Sequence, residues 1–441
     1  MACHWEKTMK VSGVPVSSPI ASAVLPNGDH LELIRKGKNP TNLLYWSGGH
    51  ATECPEFKFG RRRFLPAAIG KALPSGITLA AGVSNYTSTA DLYNRIAGIF
   101  QSTRAVERSN AEMATCFIFA TYFADCLEPA PRAIVTGIDP WDMVQVLRLF
   151  DYLCRHAITT ALFEPGNFRN LPAGCSPTFL VGDPRPSSTL LKLLDVTQHF
   201  RFGMARSKTI VNRPFSAVIL DSDGETNDRV PDTFCRINAT PQMGTRPALL
   251  DPKALRKIAE TWQGRLLAYR LRYRSQVAKQ TFDPSSLSGS TRALGSVLGS
   301  CFPDSTELQE RVVQLLAPQD EQRRLDQARC AAAVVIEALL IACHEQRASV
   351  HVGEIAALAN GILSARSDGY QLEARKVGSI LRSFSLGQRR DSRGYGFLLS
   401  TPCKRRIHQL GRSMDVPFFR GDIEKCDLCR NLQPSTVKCT S

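Results

Sequence analysis

At 441 residues the chain is too long for one ordinary hydrophobic core, and 43% hydrophobic with 22% charged residues excludes disorder as its main state. The 55 Lys and Arg outnumber the 40 Asp and Glu, and the formal net charge of +15 points to a polyanionic partner rather than a basic one. The opening MACHWEKTMK has no apolar signal core, and the longest apolar run, Ala331 to Cys343, contains Glu337 and falls short of a bilayer span. The chain therefore reads as soluble and cytoplasmic, with no membrane partner. Its 14 scattered cysteines read as small buried hydrophobes in a reducing compartment.

Residues 1–75 carry turn signals and short apolar runs, Leu31-Glu32-Leu33-Ile34 and Leu43-Leu44-Tyr45-Trp46, and are expected to form a small β-rich segment. From Ala90 to about Leu127 apolar residues recur at helical spacing, with Leu92, Ile96, Ile99 and Phe100 as one set and Phe117, Phe119, Tyr122 and Phe123 as another. Three buried-strand patterns follow, at 133–136, 177–181 and 216–220, with helical stretches between them. Strands alternating with helices predict an α/β unit over 85–250 with a largely parallel sheet. Residues 252–275 predict a basic amphipathic helix inside a helical connector, 251–326, and Ser285 to Ser296 reads as a Ser/Gly-rich linker.

The order strand, Gly137, short loop and helix at 133–153 is where a phosphate-binding P-loop belongs. A working P-loop reads G-x-x-x-x-G-K-[ST]: its backbone N–H groups cradle phosphates, its Lys reaches the outer oxygens and its hydroxyl holds Mg²⁺. Here Gly137 is followed by Ile138, Asp139, Pro140 and Trp141, and the last three motif positions hold Asp142, Met143 and Val144. The second glycine, the lysine and the hydroxyl are absent. Asp139 suits the helix N-cap, Pro140 the first helical position and Asp142 the first turn, so carboxylates occupy the anion site and repel a triphosphate. The strand at 177–181 ends in Gly182-Asp183 where a metal-binding pair of acids is needed, which is weak support for hydrolysis. No catalytic residue, cofactor or nucleotide ligand is assigned.

Residues 347–412 hold 12 basic and 4 acidic side chains, half the chain's excess charge in about a seventh of its length. The pattern over 327–415 is helix, short strand at 349–352, helix from Gly353, turn at Ser367-Asp368-Gly369, helix at about 372–385, then a hairpin over 388–400. That is the order of a winged helix-turn-helix. At about 100° per residue, Val377, Ile380, Leu381 and Phe384 fall on one side of the last helix, Arg375, Ser379 and Arg382 on the other, and Lys376 on the flank. In such a fold the basic face enters the major groove, while Arg389, Arg390 and Arg393 at the wing tip and Lys404, Arg405 and Arg406 beyond it clamp the DNA backbone.

The Ile134-Val135-Thr136-Gly137 strand and turn, the 177–181 strand, the Pro231-Asp232-Thr233 segment leading to Arg236, and the Leu381-Arg382-Ser383-Phe384 helix together resemble a family. It is the ATPase domains associated with primases and helicases of phages, plasmids and other mobile elements, with their winged-helix C-terminal extension. The resemblance implies a degenerate P-loop NTPase-like α/β domain, mobile-element or phage-related, followed by a mainly α winged-helix domain. Its departures at 142–144 and 182 fall on what makes that family enzymatic. The expectation is a non-hydrolysing protein that binds double-stranded DNA, with a protein partner or a second copy on the α/β domain. Two other readings stay open: an atypical active NTPase using Asp183 and Arg236, and a scaffold that binds only protein.

The tail, 416–441, contains Cys426-Asp427-Leu428-Cys429 and Cys439. Zinc needs four tetrahedral ligands, and this set lacks one unless Cys403 or His408 folds back, so no metal is assigned and the tail reads as flexible.

Overall fold

Among the described residues seven strands precede the first helix. The computed structural model describes residues 17–160, 171–182, 215–221, 233–240, 250–279, 281–386, 389–391, 394–414, 416 and 428. Strand β1 (Ser17–Ile20) pairs in parallel with β7 (Arg62–Pro66), which pairs antiparallel with β6 (Phe57–Phe59). Between them β2 (Ser22–Val24), β3 (His30–Ile34), β4 (Asn42–Ser47) and β5 (His50–Cys54) form an antiparallel meander. The β4–β5 turn is Gly48-Gly49 with φ of 56° and 86°, the two positive values that a tight hairpin requires and that glycine supplies without steric cost.

The next elements build an all-parallel sheet. Strands β8 (Arg132–Thr136), β9 (Ala157–Thr160), β10 (Thr178–Val181), β11 (Ser216–Asp221) and β12 (Cys235–Asn238) lie in the order β12-β8-β11-β10-β9. Helices α1 (Thr89–Ser102) and α2 (Arg108–Thr121) precede it, and α3 (Pro140–Leu153) connects β8 to β9. Alternate residues serve the two faces. Val135, Leu180, Val218 and Ile237 join the core built with α1, α2, α3 and α4 (Pro252–Val277), whereas Ile134, Phe179, Ile219 and Phe234 join Ile20, Leu31, Leu33 and Leu43 of the N-terminal strands. The parallel sheet is thus covered by helices on one side and, among the described residues, by the N-terminal strands on the other.

That packing buries charge. Glu32 on β3 lies 2% exposed and accepts from Arg155 Nη2 at 2.9 Å and Arg270 Nε at 2.7 Å. Arg270 also donates to Asp125 at 2.6 Å, and Arg274 completes the cluster. Burial alone would raise the Glu32 carboxyl, but the two guanidiniums outweigh it and hold it down at about 2.

The Ser/Gly-rich linker expected over 285–296 is corrected by the structure. Residues Gly289–Ser300 form helix α5, with Leu294, Val297 and Leu298 buried. Its glycines serve close packing: a Cβ at Gly299 would lie 2.2 Å from Phe282 Cδ1, and one at Gly295 would lie 2.9 Å from Leu287 Cδ1. Gly299→Ala should therefore destabilise the protein by about 1–3 kcal/mol through overpacking, read as a lowered thermal midpoint; an unchanged midpoint would show that the ring moves aside freely.

Contacts divide the chain into two units, Met1–Pro318 and Gln319–Ser441, and the division falls within α6 (Thr306–Arg329). The second unit contains α7 (Ala331–His344), β13 (Ser349–His351), α8 (Val352–Ala365), α9 (Ala374–Ser383), β14 (Arg389–Asp391), β15 (Gly394–Leu398) and α10 (Thr401–Ser413). The three strands form one antiparallel sheet in the order β13-β15-β14. Its core gathers Ile336, Leu340, Ile355, Leu381, Phe397 and Ile407. Among the described residues no helix is long and apolar enough to cross a membrane.

Candidate nucleic-acid interface and phosphate loop

The loop after β8 lies at the carboxyl end of an inner strand of the parallel sheet, the edge at which α/β sheets bind ligands. Gly137 is required there for packing, since a Cβ would come within 2.8 Å of the Ala239 carbonyl oxygen. The Asp139 carboxylate caps α3 by accepting from the Trp141 N–H at 2.8 Å, and the Asp139 carbonyl accepts from the Asp142 and Met143 N–H groups at 3.2 and 3.4 Å. Pro140 has no N–H. The N–H donors of the first helical turn are therefore satisfied from within. Asp142 is 5% exposed, and burial together with the Asp139 charge raises its carboxyl above the ordinary range. Met143 and Val144, at the positions where a working loop carries Lys and a hydroxyl, are buried and half-buried, whereas Ile138 and Trp141, at variable positions of the motif, are 92% and 56% exposed. Asp183 lies outside the described residues.

The second unit carries the basic face. A tight turn at Ser367, φ 58°, separates α8 from α9, and the Asn360 side chain grips the far side of the turn through both backbone groups of Leu372, at 3.1 and 2.7 Å. Arg366 holds the end of α8 to Glu337 of α7, so this arginine is structural. On α9, Val377 and Leu381 are buried and Ile380 and Phe384 half-buried, whereas Arg375, Lys376, Ser379 and Arg382 are exposed. On α10, Arg405 and Arg406 are exposed beside half-buried Lys404, whose Nζ donates to Gln346 at 3.2 Å. The ion pairs separate these cations into two kinds. Arg347 and Arg366 have acidic partners, and among the described residues Arg375, Lys376, Arg382, Arg405 and Arg406 have none. Arg389 and Arg390 are placed on β14 by backbone alone, and Arg393 lies outside the described residues.

No family model and no curated protein matches the chain. Among solved structures it is similar to the A form apo structure of the NrS-1 C-terminal region, at 9% identity and a TM-score of 0.35, over 84% of this chain and 97% of that one. It is also similar to the Aeropyrum pernix ORC2 protein at 10% identity and a TM-score of 0.17, over 69% of this chain and 93% of that one. Drosophila ORC bound to DNA matches at 11% identity and a TM-score of 0.16, over 76% of this chain and 96% of that one. Likeness at this level defines neither a family nor a function.

Proposed function

We infer that the chain is a mobile-element or phage-type protein that binds duplex DNA through a winged helix in its second unit and does not hydrolyse nucleotide at its P-loop-like centre. The observation that carries this reading is the face of α9: four exposed donors, Arg375, Lys376, Ser379 and Arg382, set opposite a buried apolar stripe and without acidic partners among the described residues. Charge left unpaired on a rigid helix is what a groove-binding element presents. The order helix, strand, helix, turn, helix and hairpin, with a three-stranded antiparallel sheet, supports a winged helix-turn-helix. The capped loop at Gly137 supports the absence of nucleotide chemistry.

Anisotropy titration of a labelled duplex with the full chain tests the DNA reading. The intact protein should bind, and Arg375→Ala with Arg382→Ala should cost about 1–3 kcal/mol per base contact. Unchanged affinity in that variant would remove α9 from the interface. Separately, calorimetry should detect no Mg²⁺-ATP binding and turnover should be nil. Micromolar binding abolished by changing Asp183 would instead establish an active nucleotide site. The exposed pair Ile138 and Trp141 favours a second reading, a protein-binding surface on the first unit, which becomes the leading one if no nucleic acid binds.

A further inference from the structure

The N-terminal meander ends in an open edge. Its last strand, β5, pairs with β4 without a bulge, from Ser47 with His50 to Leu43 with Cys54. The two-residue Gly48-Gly49 turn, with φ positive at both positions, makes Ser47 and His50 a hydrogen-bonded pair. Pairs alternate along an antiparallel ladder, so His50, Thr52 and Cys54 direct their backbone groups at β4, whereas Ala51 and Glu53 direct theirs away from it. Among the described residues nothing takes those outward N–H and C=O groups. Residues 50–53 are exposed and Cys54 is half-buried.

The two edges of this sheet are treated differently. At β2 the 173–174 segment lies against the strand: the Ser22 hydroxyl donates to the Gly174 carbonyl at 2.7 Å, and the Ala21 N–H donates to the Ala173 carbonyl at 2.8 Å. Among the described residues β5 has no such cover. It also lacks the usual guards of an exposed edge, since none of its residues is Pro, Lys or Arg. Its one acid, Glu53, is engaged by Lys36 and by the Asn42 side chain, the latter at 2.7 Å, so that charge is answered within the chain. A row of unpaired backbone groups is a template for another strand.

The strand that fits is β5 of a second copy. Two antiparallel β5 strands related by a two-fold axis at Thr52 set Ala51 of each opposite Glu53 of the other, so every outward N–H meets an outward C=O. Thr52 then faces Thr52, and no like charges oppose each other. The register is specific. A shift by one residue sets outward groups against inward ones, and a shift by two sets Glu53 against Glu53 or against the turn at Gly49. We propose that the chain self-associates through β5, two copies joining their four-stranded meanders edge to edge into one continuous antiparallel sheet. The edge is short, so the dimer is a weak one, with a dissociation constant in the micromolar range. This places the second copy on the N-terminal strands rather than on the α/β domain, and it is independent of the DNA reading.

Sedimentation equilibrium tests it on the full chain, at about 100 μM and in salt that screens the net charge. The parent should contain a dimer that dissociates on dilution. Ala51→Pro removes only an outward N–H, which an edge strand tolerates, so this variant should keep the parent's thermal midpoint and sediment as a monomer. Disulfide trapping then fixes the register. Facing residues of a non-hydrogen-bonded pair have Cα atoms about 4.5 Å apart, within disulfide reach, so Thr52→Cys should cross-link on mild oxidation where the parent does not. The two Ala51 positions are diagonal neighbours about 7–8 Å apart, so Ala51→Cys should not cross-link. A parent that is monomeric at the top concentration would overturn the proposal, as would an Ala51→Pro protein that is folded and still dimeric. If Ala51→Pro does not fold, the cysteine variants decide: cross-linking at both positions, or at neither, overturns it equally.

Discussion

Glu32→Gln should destabilise the first unit by about 3–5 kcal/mol, a large part of the about 5–15 kcal/mol that holds an ordinary domain folded. The amide keeps the shape and removes the charge, so Arg155 and Arg270 remain buried with one carboxylate fewer between them. Arg270 keeps Asp125, but among the described residues the Nε and Nη1 of Arg155 have no hydrogen-bond partner even in the native protein. Trp5, Trp46, Trp141 and Trp262 all precede the division at Pro318, so tryptophan fluorescence in urea reports this unit alone. A shift within about 0.5 kcal/mol of the parent, the range of an ordinary surface change, would show that the cluster contributes little. The same carboxylate sets a pH dependence. Its folded value lies below its ordinary one, so its stabilisation is complete above the ordinary glutamate range and is lost as pH falls from there toward about 2. The Gln variant should lose that part of the acid limb, while the part carried by Asp125, also held low by Arg270 and Arg274 against the opposing effect of burial, should persist.

This cluster marks the boundary of what the sequence makes legible. Leu31-Glu32-Leu33 alternates as a half-exposed strand would, and nothing nearby announces that Glu32 is buried, because its partners lie 123 and 238 residues away. The inner strands β8, β10 and β11 were readable from their unbroken apolar runs. β9 and β12, at the two ends of the sheet order, were not: four residues each, with Thr159 and Thr160 in one and Arg236 and Asn238 in the other, they offer no period to detect. In α5, glycine and serine counted locally as linker, whereas Gly295 and Gly299 answer to side chains outside the helix. The α9 face was legible because a 3.6-residue period separates Val377 and Leu381 from Arg375 and Arg382 within ten residues.

The α9 and α10 cations make the DNA reading quantitative. Phosphate contacts release counterions, so affinity should fall steeply with salt. With roughly six phosphates neutralised, it drops about a thousandfold between 50 and 200 mM. The two sets of residues should separate in kind. Arg375 and Arg382, on the exposed face of α9, should govern sequence preference, and their loss should relax it. Lys404, Arg405 and Arg406 should act on the backbone, so that Ala at these positions weakens binding to all sequences alike and lowers the salt slope by about one for each phosphate contact removed. Arg375, Arg382, Arg405 and Arg406 carry no acidic partner among the described residues, so unfolding midpoints of these variants should stay at the parent value.

The most direct measurement is the affinity of the full chain for a duplex oligonucleotide as a function of salt, beside the Arg375→Ala, Arg382→Ala variant. The account predicts a log–log slope near five for the parent and weaker, less selective binding for the folded variant. A folded parent that binds no duplex even at 50 mM salt, or a variant indistinguishable from it, would contradict the account.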